Sequence, residues 1–385
     1  MTDTLQETAF EQQLIGYRRQ LHAYPELAFE EFETTRSLKK WLTEASVELL
    51  DLPLETGVLA VIRGEKPGPV IALRTDIDAL PIQEETGLPF ASTLPGKMHA
   101  CGHDFHAASI LGATLLLNER KDELAGTVKI IFQPAEENGN GALRVLGTDV
   151  LDDVEAIFGM HDMPHLPTGT IGIKGGALMA GVDKFTIDVE GIGTHAAAPE
   201  KGIDAILVSS HIVTALQSIV SRNLSPLANT VISVTRLEAG NTWNVLPQTA
   251  QMEGTVRTFQ ETVRDGIPAK MDRVVRGVAQ ALGAKAELHY TKLGPSLHND
   301  SRLADFAVET AKRSGLNVVV PEPSSAGEDF AEYLKKIPGA FFFMGVSGTA
   351  GLHHPDLIID EKAILPSAQF FANLAADMLQ KLKKD

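Results

Sequence analysis

The sequence predicts an α/β fold, with a mainly parallel sheet flanked by helices and an α+β domain inserted into it. In the first and last parts of the chain, short apolar runs bounded by glycine and proline alternate with helical stretches. Between them, about residues 181–291 follow a β-α-β-β-α-β order, the split βαβ (ferredoxin-like) arrangement. We therefore predict one domain from residues 1–180 and 292–385, and an inserted domain of residues 181–291.

Apolar periodicity defines the elements of the first domain. Helices are predicted over residues 10–22 and 30–45, and a third follows Asp104, which we expect to cap it. Ala107, Ile110 and Leu111 begin one apolar face of that helix. After the insertion, helices are predicted over 302–313, from Glu328, and over about 366–381. The predicted strands of this domain are Val58–Arg63, Val70–Leu73, Thr127–Phe132, Ala156–Met160, Val318–Val320 and Ala340–Met344.

The inserted region has a different pattern of apolar and polar residues. Phe185, Ile187 and Val189 alternate with polar residues, as in a strand with one buried face. Two helical stripes and three further strands complete the order. The helical stripes begin at Ile206 and Met271, and the further strands are predicted over 231–237, 251–258 and 286–290.

Composition and charge exclude several kinds of protein. The 385 residues are 44% hydrophobic and 22% charged, which is typical of a globular chain with a full core. The net charge of −16, without a basic cluster, excludes a nucleic-acid partner, because phosphate binding needs a lysine- and arginine-rich surface. The single cysteine excludes internal disulfides. We find no signal peptide and no apolar run long enough for a membrane, so we expect a cytoplasmic protein without a membrane partner.

A nine-residue stretch, Met98–His106, concentrates side chains that bind transition metals. It contains three of the twelve histidines, the only cysteine and Asp104. Cys101 and His103 are a plausible pair of metal ligands in a loop before a helix. A buried structural thiol beside a hydrogen-bonded histidine is the alternative for this pair alone.

Further candidate ligands follow successive strands of the predicted sheet. Asp76 and Asp78 follow one strand, Glu136 and Glu137 the next, and His161 a third. Open α/β sheets place ligands at the carboxyl ends of strands, so these side chains should converge on one site. One glutamate of the pair can bind a metal while its neighbour takes a proton from water. Taken singly, the glutamates could instead be a solvated pair, and the histidines ordinary loop residues.

The inserted domain has its own candidates. His195 follows a strand in a glycine loop, and Asn244 lies beside one of only two tryptophans. Arg257 shares a strand face with Glu253. Its planar guanidinium suits a carboxylate ligand, although an internal salt bridge is the simpler alternative.

Seven motifs together resemble a known family over essentially the whole chain. The sequence is similar to the aminoacylase/carboxypeptidase-G-type metallohydrolases. Within these it is most similar to the amidohydrolase subfamily, which includes hippurate hydrolases, indole-acetyl-amino-acid hydrolases and bacterial N-acetyl-amino-acid deacetylases. The motifs are His99–Asp104, Pro134–Glu137, Gly159–His161, Gly193–Ala196, Asn244–Pro247, Gly254–Arg257 and His353–Pro355.

The resemblance implies a role for each candidate. Glu136 would be the general base, and His195, often from a partner subunit, would stabilise the oxyanion. Asn244 and Arg257 would hold the amino-acid part of the substrate. Asp76 would orient a ligand imidazole, with His99 and His106 as support. Two divalent metal ions, zinc, manganese or cobalt, would be bound by Cys101, His103, Glu137, His161 and His353.

One departure from the wider family concerns the first strand end. Where related peptidases have His-x-Asp, this chain has Arg74-Thr75-Asp76, so the first histidine ligand is missing. This fits the subfamily, in which the Cys-x-His pair compensates.

The resemblance implies hydrolysis of N-acyl, above all N-acetyl, amino acids to a carboxylate and a free amino acid. A dipeptidase or carboxypeptidase-type exopeptidase is the alternative within enzymes, and a metal-dependent binding or storage protein is the alternative outside them. The inserted domain would be a lid and dimerisation domain, and we expect a homodimer or higher homo-oligomer.

Overall fold

The computed structural model describes residues 2–384, with side chains from residue 6 onward. The chain forms two compact units. The first comprises the residues up to Gly176, His298–Glu322 and the segment from Glu332 onward. The second comprises Ala177–Leu297 and Pro323–Ala331. The return of Pro323–Ala331 to the second unit has no counterpart in the predicted boundaries.

Sixteen strands and nine α-helices are formed in the described part of the chain. The strands are β1 Glu48–Leu50, β2 Val58–Arg63, β3 Lys66–Asp76, β4 Ala125–Gln133, β5 Ala156–Met163, β6 Thr170–Gly172, β7 Gly176–Met179, β8 Gly181–Glu190, β9 Thr194–His195, β10 Thr230–Ala239, β11 Val245–Leu246, β12 Thr249–Thr258, β13 Lys285–Lys292, β14 Leu297–Asn299, β15 Asn317–Val319 and β16 Gly339–Gly345. The helices are α1 Thr2–Ala23, α2 Phe32–Glu44, α3 His103–Glu119, α4 Gly141–Leu146, α5 Ala205–Arg222, α6 Glu261–Ala281, α7 Ser301–Arg313, α8 Phe330–Leu334 and α9 Ile364–Leu382.

The first unit is built on an eight-stranded sheet of order β1-β2-β4-β3-β5-β16-β6-β15. Its centre is parallel, because β3 runs parallel to β4 and β5, and β16 runs parallel to β5. The first two strands and the β6–β16 pair add antiparallel neighbours. This mixed, mostly parallel sheet with helices confirms the predicted fold class.

Helix α3 is more deeply buried than the sequence predicts. The sequence predicts that only one face of this helix is apolar. In the structure, every residue from His103 to Leu115 is buried. It packs against α1, α9 and strand β3, so that it is enclosed by other elements. Phe105, Ile110 and Leu111 belong to the main hydrophobic core. A helix buried on all sides holds the residues at its N-terminus in fixed positions.

The second unit contains the expected β-α-β-β-α-β order. Strands β8, β10, β12 and β13 form an antiparallel sheet of order β10-β12-β8-β13. Alternate residues of β8, among them Ile187, share one core with Ile212 of α5 and Met271 of α6. Period-two burial on β8 therefore appears where the sequence predicts it.

Helix α5 is long and apolar enough to cross a membrane by length and composition alone. The sequence was not expected to contain such a stretch. Its buried stripe, including Val208, Ile212 and Leu216, packs into the core of the second unit. A core helix passes the same test, so this single helix is weak support for membrane insertion.

Candidate metal centre

The candidate site of the first unit lies where neighbouring parallel strands end. Asp76 is the last residue of β3 and pairs with Gln133, the last residue of β4. Glu136 and Glu137 follow β4 after a short turn, and His161 lies near the end of β5. The ends of these neighbouring strands therefore bring the side chains to one edge of the sheet.

A left-handed glycine delivers Cys101 and His103 to the same edge. Gly102 has φ of 74° and is the N-cap of α3. A Cβ atom at this position would lie 2.3 Å from Asp162 Oδ1. Glycine therefore satisfies both the backbone conformation and the close approach of the carboxylate.

The five predicted metal ligands form two groups of three that share Cys101. One group is Cys101, His103 and His161, and the other is Cys101, Glu137 and His353; within each, the ligand atoms lie within 4.8 Å of one another. The Cys101 sulfur is 3.4 Å from His161 Nε2 and 3.2 Å from His353 Nε2. His353 Nε2 is 3.4 Å from Glu137 Oε1.

His353, rather than His354, joins this cluster. Its backbone N–H donates to the carbonyl of Ala100 at 2.7 Å, which ties the distant segment to the cysteine loop. His354 is exposed, and its Nδ1 accepts the N–H of Asp356. The resemblance implies His353 as a ligand, and its ring is the one of the two that lies beside Cys101.

The chemistry of the donors fits a pair of divalent metal ions. One thiol, three imidazoles and one carboxylate are the ligands that zinc and related ions accept. Within residues 2–384, the buried Nε2 atom of His103 makes no hydrogen bond, so it is available as a ligand. Burial raises the pKa of Cys101 well above its ordinary value. The thiolate form therefore needs a cation beside the sulfur, as a bound metal provides.

The imidazoles of two predicted ligands, His161 and His103, are oriented through their other nitrogens. His161 Nδ1 donates to the backbone carbonyl of Asp162 at 2.7 Å. His103 Nδ1 lies 3.2 Å from Asp78 Oδ1. A donating Nδ1 leaves the lone pair of Nε2 directed to the site.

Asp76 does not have the role predicted for it. Its closest imidazole is that of His106, at 2.6 Å, whereas His103 Nδ1 is 3.9 Å away. The other nitrogen of His106 lies 3.0 Å from Asp162 Oδ1. His106 is thus a support between two aspartates, as expected, and Asp78 is the partner of His103.

Asp104 is not the helix cap that the sequence indicates. It lies one residue inside α3, fully buried, and its carboxylate pairs with Arg18 Nε at 2.8 Å and His22 Nδ1 at 2.9 Å. Burial alone would lower the pKa of His22. The charge of Asp104 and hydrogen bonds to Asp104 and Glu84 outweigh burial and raise it to about 9. Asp104 therefore anchors α1 to α3 as part of an ion-pair network.

His195 and Asn244 are neighbours in the second unit. Strands β9 and β11 pair with Val245 opposite His195, and the Ala196 N–H donates to the Asn244 carbonyl at 3.0 Å. The Ala197 N–H donates to His195 Nδ1 at 3.0 Å. Neutral His195 therefore carries its proton on Nε2, and its ring is exposed.

Arg257 is half-buried on β12 and makes no salt bridge with Glu253. Glu253 instead pairs with Arg236 at 3.4 Å. The guanidinium of Arg257 donates to the Thr255 hydroxyl and to the Val256 carbonyl. Burial lowers its pKa, although the charge of Asp183 opposes this effect. The salt-bridge alternative is therefore wrong.

The mixed sheet, with two groups of candidate metal ligands and a neighbouring glutamate, is the arrangement expected of a metal-dependent hydrolase. Comparison with known proteins identifies the family. Residues 72–377 match peptidase family M20/M25/M40, and the chain belongs to this family.

Three similar proteins cover nearly the whole chain. An N-acetylcysteine deacetylase of Bacillus subtilis is 53% identical over 378 residues, which cover 98% of this chain and 100% of that protein. An N-acetyl-L-cysteine deacetylase of the same organism is 47% identical over 372 residues, with 97% and 89% coverage. The crystal structure of a Bacillus subtilis dinuclear metal-binding peptidase of the M20 family has a TM-score of 0.89 at 50% identity, with 97% and 99% coverage.

These comparisons confirm three predictions. The resemblance to the amidohydrolases, the α/β fold with an inserted antiparallel sheet, and the class of metal-dependent hydrolase acting on C–N bonds all hold.

Proposed function

We propose that this chain is a di-metal amidohydrolase that removes the acyl group of N-acyl amino acids, with N-acetylcysteine as the first substrate to test. The single observation that carries the proposal is the convergence of both ligand groups on Cys101, with Glu136 beside them. The names of the similar Bacillus subtilis proteins support the choice of acyl group and amino acid.

Two groups of side chains would hold the metal ions. Cys101, His103 and His161 would bind one ion, and Cys101, Glu137 and His353 the other. When bound, the ions polarise an amide carbonyl and lower the pKa of water toward neutrality. We propose zinc, manganese or cobalt, since a thiolate favours zinc while imidazoles and a carboxylate accept all three.

Glu136 is the proposed general base. Its Oε2 lies 4.0 Å from His103 Nε2, and its side chain is largely but not fully buried. Glu136 is therefore adjacent to the two groups of proposed ligands that share Cys101, but it is a member of neither. Glu136 takes a proton from the attacking water and passes it to the leaving nitrogen.

Three side chains of the second unit are proposed to act on the substrate. His195 donates its Nε2–H to the oxyanion of the tetrahedral intermediate, a contact typically worth about 3 kcal/mol. Asn244 and Arg257 bind the amino-acid part. The half-buried guanidinium of Arg257 has no carboxylate within ion-pair distance in the described chain, which suits a carboxylate ligand.

A homodimer is proposed for the assembly. Strand β10 is an edge of the second unit's sheet, and it exposes Val231 and Leu237. An edge strand with exposed apolar side chains is suited to pairing with a second copy. A cytoplasmic location stays a prediction.

Replacement of the proposed base tests the reaction. Glu136→Gln should keep both metal ions but lower kcat on N-acetylcysteine by at least about 10²-fold, because the isosteric amide cannot accept the proton. Metal content by elemental analysis is measured on the same samples. Glu137→Gln is the control that should lose metal. Substantial turnover by metal-loaded Glu136→Gln would refute the assignment.

A substrate panel separates this function from its alternatives. Metal-free enzyme is reloaded with zinc, manganese or cobalt and assayed on N-acetyl amino acids and on dipeptides. Faster hydrolysis of dipeptides would favour the exopeptidase alternative. Stable binding of N-acetylcysteine without product would favour a binding protein.

A further inference from the structure

We infer that Asp78 is a positioning residue that holds the metal ligand His103 and the backbone of the proposed base in one arrangement. The inference rests on the proposed function and deepens it. Asp78 is fully buried two residues beyond β3. Its Oδ1 lies 3.2 Å from His103 Nδ1 and accepts the Glu136 N–H at 3.1 Å, and its Oδ2 accepts the Glu137 N–H at 2.9 Å.

The turn that carries both glutamates depends on buried carboxylates. Ala135 has φ of 58°, the left-handed region that a non-glycine residue occupies at a cost of about 1–2 kcal/mol. Its N–H donates to Glu31 Oε1 at 2.8 Å. Three consecutive N–H groups therefore point to two carboxylates, in the manner of a backbone nest around an anion. Of these two carboxylates, that of Asp78 also contacts His103, a proposed metal ligand.

Asp76 is already engaged elsewhere. Arg74 Nη1 donates to its Oδ2 at 2.7 Å, and His106 occupies its Oδ1. His103 is therefore oriented by Asp78, whose Oδ1 is 3.2 Å from its Nδ1, rather than by Asp76, whose Oδ1 is 3.9 Å away.

The effect of this arrangement is to couple two parts of the site. Donation from His103 Nδ1 leaves Nε2 free toward the ligand group. The same carboxylate fixes the backbone of Glu136 and Glu137. Loss of Asp78 should therefore disturb metal affinity and the position of the base together.

Asp78→Asn tests the inference in the full-length enzyme. The amide has one acceptor oxygen for three donors, and its NH2 group cannot accept. Zinc affinity, measured by competition with a chelator, should fall about 10–100-fold. At saturating zinc, kcat on N-acetylcysteine should stay about 10-fold or more below wild type while KM changes little. A purely structural role would lower the Tm and leave kcat per folded, zinc-loaded molecule unchanged.

Glu31→Ala is the matched comparison. It removes an acceptor from the same turn without touching His103, so kcat should fall while zinc affinity falls clearly less than in Asp78→Asn. An equal loss of zinc affinity in Glu31→Ala would overturn the assignment of His103 to Asp78.

Asp78→Glu is the second variant, for the case in which Asp78→Asn does not fold. It keeps the charge but moves both oxygens, so zinc affinity and kcat should both fall. Wild-type values of both quantities in either folded variant would overturn the inference. If the wild-type enzyme hydrolyses no N-acyl amino acid, the proposed function fails, yet the chelator competition still decides the role of Asp78.

Discussion

Cys101 is the only cysteine of the chain, and its sulfur is the one ligand atom common to both triads. Each of the other four ligands belongs to one of these two triads. A thiolate that belongs to both groups would suit a pair of cations, because its negative charge would attract either one. The single sulfur should therefore affect both metal positions, whereas each imidazole affects one.

We predict different metal stoichiometries for two substitutions. Cys101→Ser should weaken the binding of both metal ions, because a hydroxyl replaces the thiolate. His353→Ala should weaken the binding of only one ion, the one proposed to share Glu137. Elemental analysis after dialysis against a chelator measures the ions retained per chain. The Tm of the metal-free proteins is the control, and Cys101→Ser should lie close to wild type. Retention of two ions by Cys101→Ser would contradict the shared role.

At the scale of elements, the junction between the cysteine loop and α3 places the ligands. The helix begins directly at His103, and the left-handed Gly102 turns Cys101 into the site. A side chain at Gly102 would meet both a backbone restriction and the Asp162 carboxylate. This junction therefore has less freedom than an ordinary helix start.

Gly102→Ala should lower metal affinity strongly. Gly96→Ala is the matched control, since Gly96 has the same φ of 74° but no atom within 4 Å of the added Cβ. Both variants carry the same backbone cost of about 1–2 kcal/mol. Only Gly102→Ala adds the collision with Asp162. Calorimetric zinc titration of both proteins measures the difference, and equal affinities would show that the collision is relieved without cost.

The sequence predicted elements and their ends better than contacts between them. Strand-end carboxylates and histidines were found because parallel strands bring their carboxyl ends together. The cap assigned to Asp104 was wrong because its partner Arg18 is 86 positions away, and no local pattern shows that pairing. The prediction that Asp76 orients a ligand imidazole was wrong because the fold pairs Asp76 with His106, which is 30 positions away.

At the scale of the molecule, the proposed machinery is divided between two units. The first unit contains the proposed metal ligands and Glu136, and the second contains His195, Asn244 and Arg257. The family resemblance implies that this histidine often reaches the active site of the partner subunit. Strand β10 offers an edge through which two copies could pair. Whether His195 acts within its own chain or across a dimer can be decided by complementation.

We predict that two inactive variants restore activity when combined. Glu136→Gln and His195→Ala are unfolded together and refolded as a mixture, so that mixed dimers form. If His195 acts across the dimer, each mixed dimer has one intact site, and random pairing gives roughly a quarter of wild-type activity. If His195 acts within its own chain, each site keeps one defect and activity does not return. Each variant refolded alone is the control, and size-exclusion chromatography verifies the dimers.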